Sequence, residues 1–262
     1  MRIKVGDIHI NCELSGNENG PAVMMSHSLG SSSIMWEPQL AALEARYRLL
    51  RFDTRGHGRS DAPGGAYTLE QLAGDALALL DALEIDKVHF VGLSMGGMIA
   101  QRLALSDPDR LISLALCDTA AMIPDEAQPV WQERIDAARR HGMAAGVDET
   151  LQRWFTGAFL SKSPPAVEQI RTQFLNTPAE GFIGCSEAIR RLNVIDQLSS
   201  IQLPVLIMVG EDDPGTPVSA AEQMHARIPS SELVIIPSAA HLSNIEQADI
   251  FNEALVSFLD RQ

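Results

Sequence analysis

Ser94, His241 and Asp213 are of the three residue types that together perform nucleophilic acyl transfer, and each stands in a setting that suits the work. A serine hydroxyl is a poor nucleophile until a base takes its proton, and the base needs a third group to orient it. Ser94 lies in Gly92-Leu93-Ser94-Met95-Gly96-Gly97, after the apolar run Val88-His89-Phe90-Val91 and before the helix-like Met98 to Leu105. Strand, Gly-x-Ser-x-Gly, helix is the order that holds a serine on a sharp, strained turn with its hydroxyl exposed. Gly92 and Gly96 lack β-carbons at the points where such a turn forces strand and helix together.

His241 is the candidate base because it follows the last predicted strand, at the same sheet edge as Ser94 if the strands are parallel. Of the other six histidines, His9 and His89 fall within strand patterns and His141 and His225 within helical ones; His27 and His57 sit in loops that precede the serine. For the acid, Asp213 ends a buried strand between Ser94 and His241, in the chain order Ser, Asp, His. Asp212 beside it and Asp118 after another strand are the alternatives. An oxyanion formed by attack on a carbonyl needs preset donors, and backbone amides serve without reorganisation. Met95, directly after the serine, is one; Leu29, in the loop after Ala22 to Ser26, is the other.

The elements that must position these groups are legible in the periodicity. Ile3-Lys4-Val5 and Ile8 to Leu14 alternate around Gly6-Asp7 as a hairpin. Ala22 to Ser26, Tyr47 to Phe52, Val88 to Val91, Leu111 to Cys117, Leu203 to Val209 and Leu233 to Ile236 are short apolar runs, the form of strands buried on both faces. Helices are expected at about Trp36 to Glu44, Leu69 to Leu83, Val218 to Ala226 and Ala248 to Leu259. Strand alternating with helix implies a mostly parallel sheet covered on both faces, with any ligand site at the carboxyl ends of the strands. The polar turn Asp53 to Ser60, with Asp53, Arg55 and His57, is read as hydrogen-bonded structure. Between Thr119 and Asn193 the strand signals vanish. Helical pieces replace them at Val130 to His141, Met143 to Phe155, Pro164 to Leu175 and Pro178 to Leu192, with Ser163 as an N-cap and Thr177-Pro178-Ala179-Glu180 as a capping box. The expected division is therefore a core of residues 1–118 and 194–262 with a helical cap, 119–193, over the mouth above Ser94.

Twenty basic against 34 acidic residues, a net charge of −14, argue against nucleic acid as a partner. No run is long enough to span a membrane and the N-terminus lacks a secretory core, so a cytoplasmic location is expected. Cys12, Cys117 and Cys185 are read as core residues, and no metal-ligand spacing, P-loop or dinucleotide fingerprint occurs.

With these motifs assembled, the chain resembles the α/β-hydrolases, and among them it is similar to the 3-oxoadipate enol-lactonases. The resemblance rests on His27-Ser28-Leu29-Gly30, Phe52 to Ser60, Gly92 to Gly97, Cys117-Asp118-Thr119-Ala120-Ala121, Arg153-Trp154-Phe155-Thr156 and His241 to Glu246. It implies an eight-stranded α/β-hydrolase fold. The implied reaction is opening of a small lactone through an acyl-serine at Ser94, with no cofactor and no metal. The lactone carries a carboxylate, which calls for a cation or amide donors near the pocket. Arg153 matches the cap motif either as that ligand or as a surface-tipped arginine, and Trp154 is expected as a pocket wall. A broad carboxylesterase is the runner-up; a carbon–carbon bond hydrolase and a non-catalytic receptor with this fold are further readings. Dehalogenases and epoxide hydrolases are disfavoured because their carboxylate nucleophile is replaced by Ser94.

Overall fold

The computed structural model describes all 262 residues. Eight strands form one sheet: β1 (Arg2–Val5), β2 (Ile8–Gly16), β3 (Ala22–Ser26), β4 (Arg48–Phe52), β5 (Val88–Leu93), β6 (Leu111–Cys117), β7 (Val205–Gly210) and β8 (Ser231–Ile236). Their spatial order is β1-β2-β4-β3-β5-β6-β7-β8. β1 and β2 form the expected hairpin, with Ile3 opposite Ile10, and β2 meets β4 antiparallel. From β4 to β8 every pairing is parallel. Every residue of β3, β5 and β7 is buried, the polar Ser26 and His89 included, whereas β8 at the edge is mostly half-exposed.

The helices between strands are α1 (Glu37–Leu43), α2 (Leu69–Ala82) and α3 (Met95–Ser106). α2 starts at Thr68, whose hydroxyl accepts the Gln71 N–H, and its stripe of Leu69, Leu72, Ala73, Ala76 and Leu80 is buried, with Leu77 only partly so. Between β6 and β7 the chain leaves the sheet for α4 (Gln128–His141), α5 (Val147–Trp154), α6 (Gly157–Leu160), α7 (Pro165–Asn176) and α8 (Ala179–Ile189). It returns for β7, α9 (Val218–His225), β8, α10 (Ser243–Glu246) and α11 (Ala248–Leu259). The helical excursion has no core of its own: Trp154, Phe155, Phe174 and Phe182 belong to the same apolar cluster as the sheet residues.

Several local expectations need correction. The helix expected over Met143 to Phe155 is split into a 3₁₀ turn at Met143–Gly146 and α5, with Gly146 at φ −112°, ψ 4° between them. Ser163 does not cap α7. Pro165 pushes the preceding Pro164 into the extended region, so Pro164 is the N-cap and Ser163 turns into positive φ. Thr177 forms no capping box either: Pro178 is the N-cap of α8, and the Thr177 hydroxyl donates back to the Gln173 carbonyl. β7 starts at Val205, two residues later than expected, and α6 was not anticipated; Thr156 caps it by accepting the Phe159 N–H.

The backbones of β3, β5 and α3 approach more closely than side chains allow. A β-carbon on Gly92 would lie 2.3 Å from the Gly96 carbonyl carbon, and one on Gly96 would lie 2.1 Å from the Ser26 carbonyl oxygen. Gly74, mid-way along α2, has open space instead. Gly96→Ala should therefore destabilise the protein by at least about 2 kcal/mol, since backbone has to move. Gly74→Ala should stabilise it by roughly 0.5–1 kcal/mol through helix propensity. Urea denaturation of the two variants checks both signs; a Gly96→Ala protein as stable as the parent would contradict the packing described.

Candidate active site

The three-way backbone contact places Ser94 between β5 and α3 at φ 55°, ψ −115°, a conformation that L-residues avoid. Hydrogen bonds on both sides of the residue hold it there. The Ser94 N–H donates to the Cys117 carbonyl at 2.8 Å, and the Ser94 carbonyl accepts from Thr119 Oγ1 at 2.7 Å. The side chain opens into a cavity of about 490 Å³ between the sheet edge and the excursion, which His241, Leu29 and Trp154 also line.

His241 reaches this cavity from the loop after β8. Its Nδ1 donates to Asp213 Oδ2 at 2.8 Å, which leaves Nε2 as the unprotonated nitrogen. Asp213 Oδ1 accepts the N–H groups of Gly215 (2.7 Å) and Thr216 (3.1 Å), while Thr216 Oγ1 donates to Oδ2 at 2.6 Å. Burial opposes ionisation of Asp213, yet the His241 charge and these donors hold its carboxyl below the ordinary range. His241 moves the other way. Burial alone would lower its pKa, but the Asp213 charge and hydrogen bond, with the field of Asp118, raise it above 6.5 against the opposing charge of Arg153. No hydrogen bond joins Ser94 Oγ to His241, a spacing common in unliganded sites.

The other two acids serve elsewhere. Asp212 is exposed, and its N–H bonds the Ala239 carbonyl. Asp118 is fully buried; it accepts the Gly210 N–H at 2.7 Å and Ser243 Oγ at 2.6 Å, tying the ends of β6, β7 and α10 together. Burial, then the nearby Asp213 charge, pushes its carboxyl up.

The loop carrying Leu29 is held by two neutral histidines. His57 Nε2 accepts the Gly30 N–H at 2.9 Å and His27 Nε2 accepts the Thr54 N–H at 2.9 Å, so each ring carries its proton on Nδ1, facing the carbonyls of Arg55 and Ser28. The Ser28 N–H meets Met35 Sδ, which leaves the Leu29 N–H as the one amide of Ser28–Gly30 without a protein acceptor. Met95 is the first residue of α3, where the N–H has no intrahelical partner. The turn with Asp53, Arg55 and His57 is structural, as expected. Asp53 accepts from Asn11 Nδ2, Ser33 N–H and Arg59 N–H, and Arg55 bridges Asp75 and Asp7.

The excursion is fastened to both loops of the site. Gln173 Oε1 on α7 accepts from Ser31 Oγ, Ser32 N–H and Ser32 Oγ. The Leu242 N–H donates to the Trp154 carbonyl at 3.0 Å, and the Glu246 carboxylate accepts from Ala240 N–H and from Thr156 N–H and Oγ1. Trp154 and Arg153 both line the cavity. Sequence reasoning missed Trp131, Arg134 and Thr216, which line it too; Trp131 and Arg134 stand one helical turn apart on α4, a pattern that alone does not separate a pocket wall from a surface face. No group of three metal-ligating side chains converges, and no helix is long and apolar enough to cross a membrane.

Comparison with known proteins places these features in context. A family model described as the alpha/beta hydrolase fold matches residues 21–248. The chain is 38% identical to 3-oxoadipate enol-lactonase 2 of Acinetobacter baylyi, over 97% of this chain and 94% of that one. Among solved structures it is similar to the enol-lactonase of Burkholderia xenovorans LB400 (TM-score 0.96, 38% identity, 99% of this chain and 100% of that one). A thermophilic esterase from Thermogutta terrifontis matches with a TM-score of 0.94 and 30% identity, over 100% and 98% of the two chains.

Burial, reinforced by the neighbouring His27, pushes the His57 imidazole down to about 3. A folded-state pKa below the unfolded value of about 6.5 means stability that is complete above pH 6.5 and lost as pH falls toward 3. Between pH 6.5 and 5.5 the parent should lose about 1 kcal/mol more than His57→Gln, which cannot titrate. Urea denaturation across that pH range measures the difference, and parallel curves for the two proteins would refute it.

Proposed function

The chain belongs to the alpha/beta hydrolase fold family, and from that premise we propose that it hydrolyses a small lactone, 3-oxoadipate enol-lactone, to 3-oxoadipate. The observation that carries this reading is the 38% identity to an enol-lactonase across 97% of the chain. The site geometry supports it. In this reading Ser94 is the nucleophile, His241 the base, Asp213 the acid that orients it, and the Leu29 and Met95 amides the oxyanion donors, with Trp154 walling the pocket.

The steps follow from the groups present. Ser94 Oγ attacks the lactone carbonyl as His241 Nε2 takes its proton, and the oxyanion settles on the two free amides. Collapse breaks the ring C–O bond, and the imidazolium returns the proton to the departing enol oxygen. The open chain, still acylated to Ser94, tautomerises to the ketone. A water deprotonated by His241 then releases the carboxylate product and restores Ser94. Asp213, ionised throughout, stabilises the imidazolium at each stage.

Loss of enol-lactone absorbance, measured beside p-nitrophenyl acetate, tests the substrate. Turnover of the lactone is expected; cleavage of the acetate alone would reassign the chain as a general esterase. Ser94→Ala should lower kcat more than about 10³-fold with the fold intact. Asp213→Asn should lower it by about 10⁴-fold, and Asp118→Asn should retain turnover; the reverse pattern would move the acid to Asp118. Because His241 must be neutral to act, kcat/KM should rise with pH to a plateau, with its midpoint above the ordinary histidine value of 6.5. A midpoint below that value would contradict the ion pair with Asp213.

A further inference from the structure

The loop that carries the Leu29 amide is held from two sides. From the core, His57 Nε2 accepts the Gly30 N–H at 2.9 Å and Asp53 Oδ1 accepts the Ser33 N–H at 2.8 Å. Between these points the Ser31 N–H turns back to the Ser28 carbonyl, and the Ser32 N–H alone is bound by a distant part of the chain. Its acceptor is Gln173 Oε1 on α7, at 3.1 Å, and the same oxygen takes the hydroxyls of Ser31 (3.1 Å) and Ser32 (2.9 Å).

The Gln173 carboxamide is placed for its oxygen. A backbone N–H can only donate, so the atom facing Ser32 is Oε1, and Nε2 is left buried with no acceptor. A buried donor without a partner is unfavourable; the side chain keeps this pose for three bonds to one loop. The next residue tightens the grip. Gly30 stands at φ 75°, and a β-carbon on it would lie 2.8 Å from Phe174 Cδ2, so the ring rests on the loop backbone beside Leu29. A second tie from α7, Gln169 Nε2 to Glu37 Oε2 at 3.0 Å, fastens the helix just beyond the loop.

An oxyanion donor acts only if it is in place before the charge develops. The direction of the Leu29 N–H is set by the backbone of Ser28 to Gly30, which belongs to no helix or strand and includes a glycine with little restraint of its own. His57 fixes one side of that segment and Gln173 the other. Gln173 is not among the residues that line the cavity, so it reaches the substrate only through this loop.

We propose that Gln173 is a positioning residue for the oxyanion hole: its side-chain oxygen, reaching from the helical excursion to Ser31 and Ser32, holds the Leu29 amide toward the developing oxyanion. This rests on the reading of Ser94 as nucleophile and Leu29 as donor. The excursion then completes the catalytic machinery of the core as well as roofing the cavity, and its contribution falls on the transition state.

Gln173→Met keeps the length of the side chain and removes the acceptor. It should lower kcat about tenfold, less than the roughly 10²- to 10³-fold of a donor lost outright, with KM within about twofold of the parent. Gln173→Glu keeps an acceptor in the same place and drops only the unused donor, so it should recover most of kcat. Ser31→Ala removes one of the three bonds and should lower kcat about threefold, but should cost nothing further when added to Gln173→Met, because its partner is already gone. A small alkylboronic acid reads the hole without turnover. Ser94 Oγ bonds to boron, His241 Nε2 takes the hydroxyl proton, and a boron-bound hydroxyl stands at the oxyanion position. Its dissociation constant, measured by calorimetry, should rise about tenfold in Gln173→Met. Rates are read on both the enol-lactone and p-nitrophenyl acetate; cleavage of the acetate alone would remove the substrate assignment and leave the Gln173 effect to be measured on the acetate. A parent that cleaves neither and binds no boronic acid would refute the serine mechanism itself. A parent that does both, with Gln173→Met matching it in kcat and boronic-acid affinity or losing rate through KM alone, would overturn the role of Gln173.

Discussion

The close approach of three backbones around Ser94 is the constraint on which the rest of the site depends. β3, β5 and α3 meet at Ser26, Gly92 and Gly96, where a β-carbon would fall within 2.3 Å of main-chain atoms. Holding a serine at φ 55° costs roughly 1–3 kcal/mol, and the bonds to Cys117 and Thr119 offset it from the neighbouring strand. That geometry starts α3 directly after Ser94, so the Met95 amide is free at the same point. A looser turn would cost both the orientation of the hydroxyl and one donor.

The second arrangement that matters is how the helical excursion is tied down. Gln173 grips the loop with the Leu29 amide, and Glu246 and Leu242 bind the end of α5 to the loop with His241. The excursion is thereby a roof fastened to two of the loops that converge on Ser94, sharing its apolar core with the sheet. Gly56 and Gly181 make a further seam: a β-carbon on Gly56 would lie 2.5 Å from the Gly181 Cα. The roof and the turn Asp53 to Ser60 are consequently packed backbone to backbone at these glycines.

Charge is distributed with the same separation of roles. The chain as a whole carries a net charge of −14, whereas the cavity lining includes Arg134 and Arg153 and no acid. Solvent screens the surface charge within about 8 Å at physiological ionic strength, so the half-buried arginines set the local field a ligand meets. Acids inside the site are each committed: Asp213 to His241 and Asp118 to the ends of three elements.

Chemistry written in neighbouring residues was legible before any coordinates. The serine turn is specified by two glycines within four residues of each other, and the buried strands by short runs dominated by apolar residues; both depend on steric and solvation demands that act locally. The cap patterns place the starts of α7 and α8 one residue too early: the N-caps are Pro164 and Pro178, and neither Ser163 nor Thr177 makes the cap hydrogen bond. The order of Ser94, Asp213 and His241 narrowed the acid to three candidates by sequence, but only the packing of β7 against β8 brought Asp213 Oδ2 to His241 Nδ1 and sent Asp118 elsewhere. Trp131, Arg134 and Arg153 likewise share a wall only because α4 and α5 fold over the same sheet edge. Residues alone determined which groups could act; distances between segments far apart in the chain, set by packing of a common core, decided which of them meet.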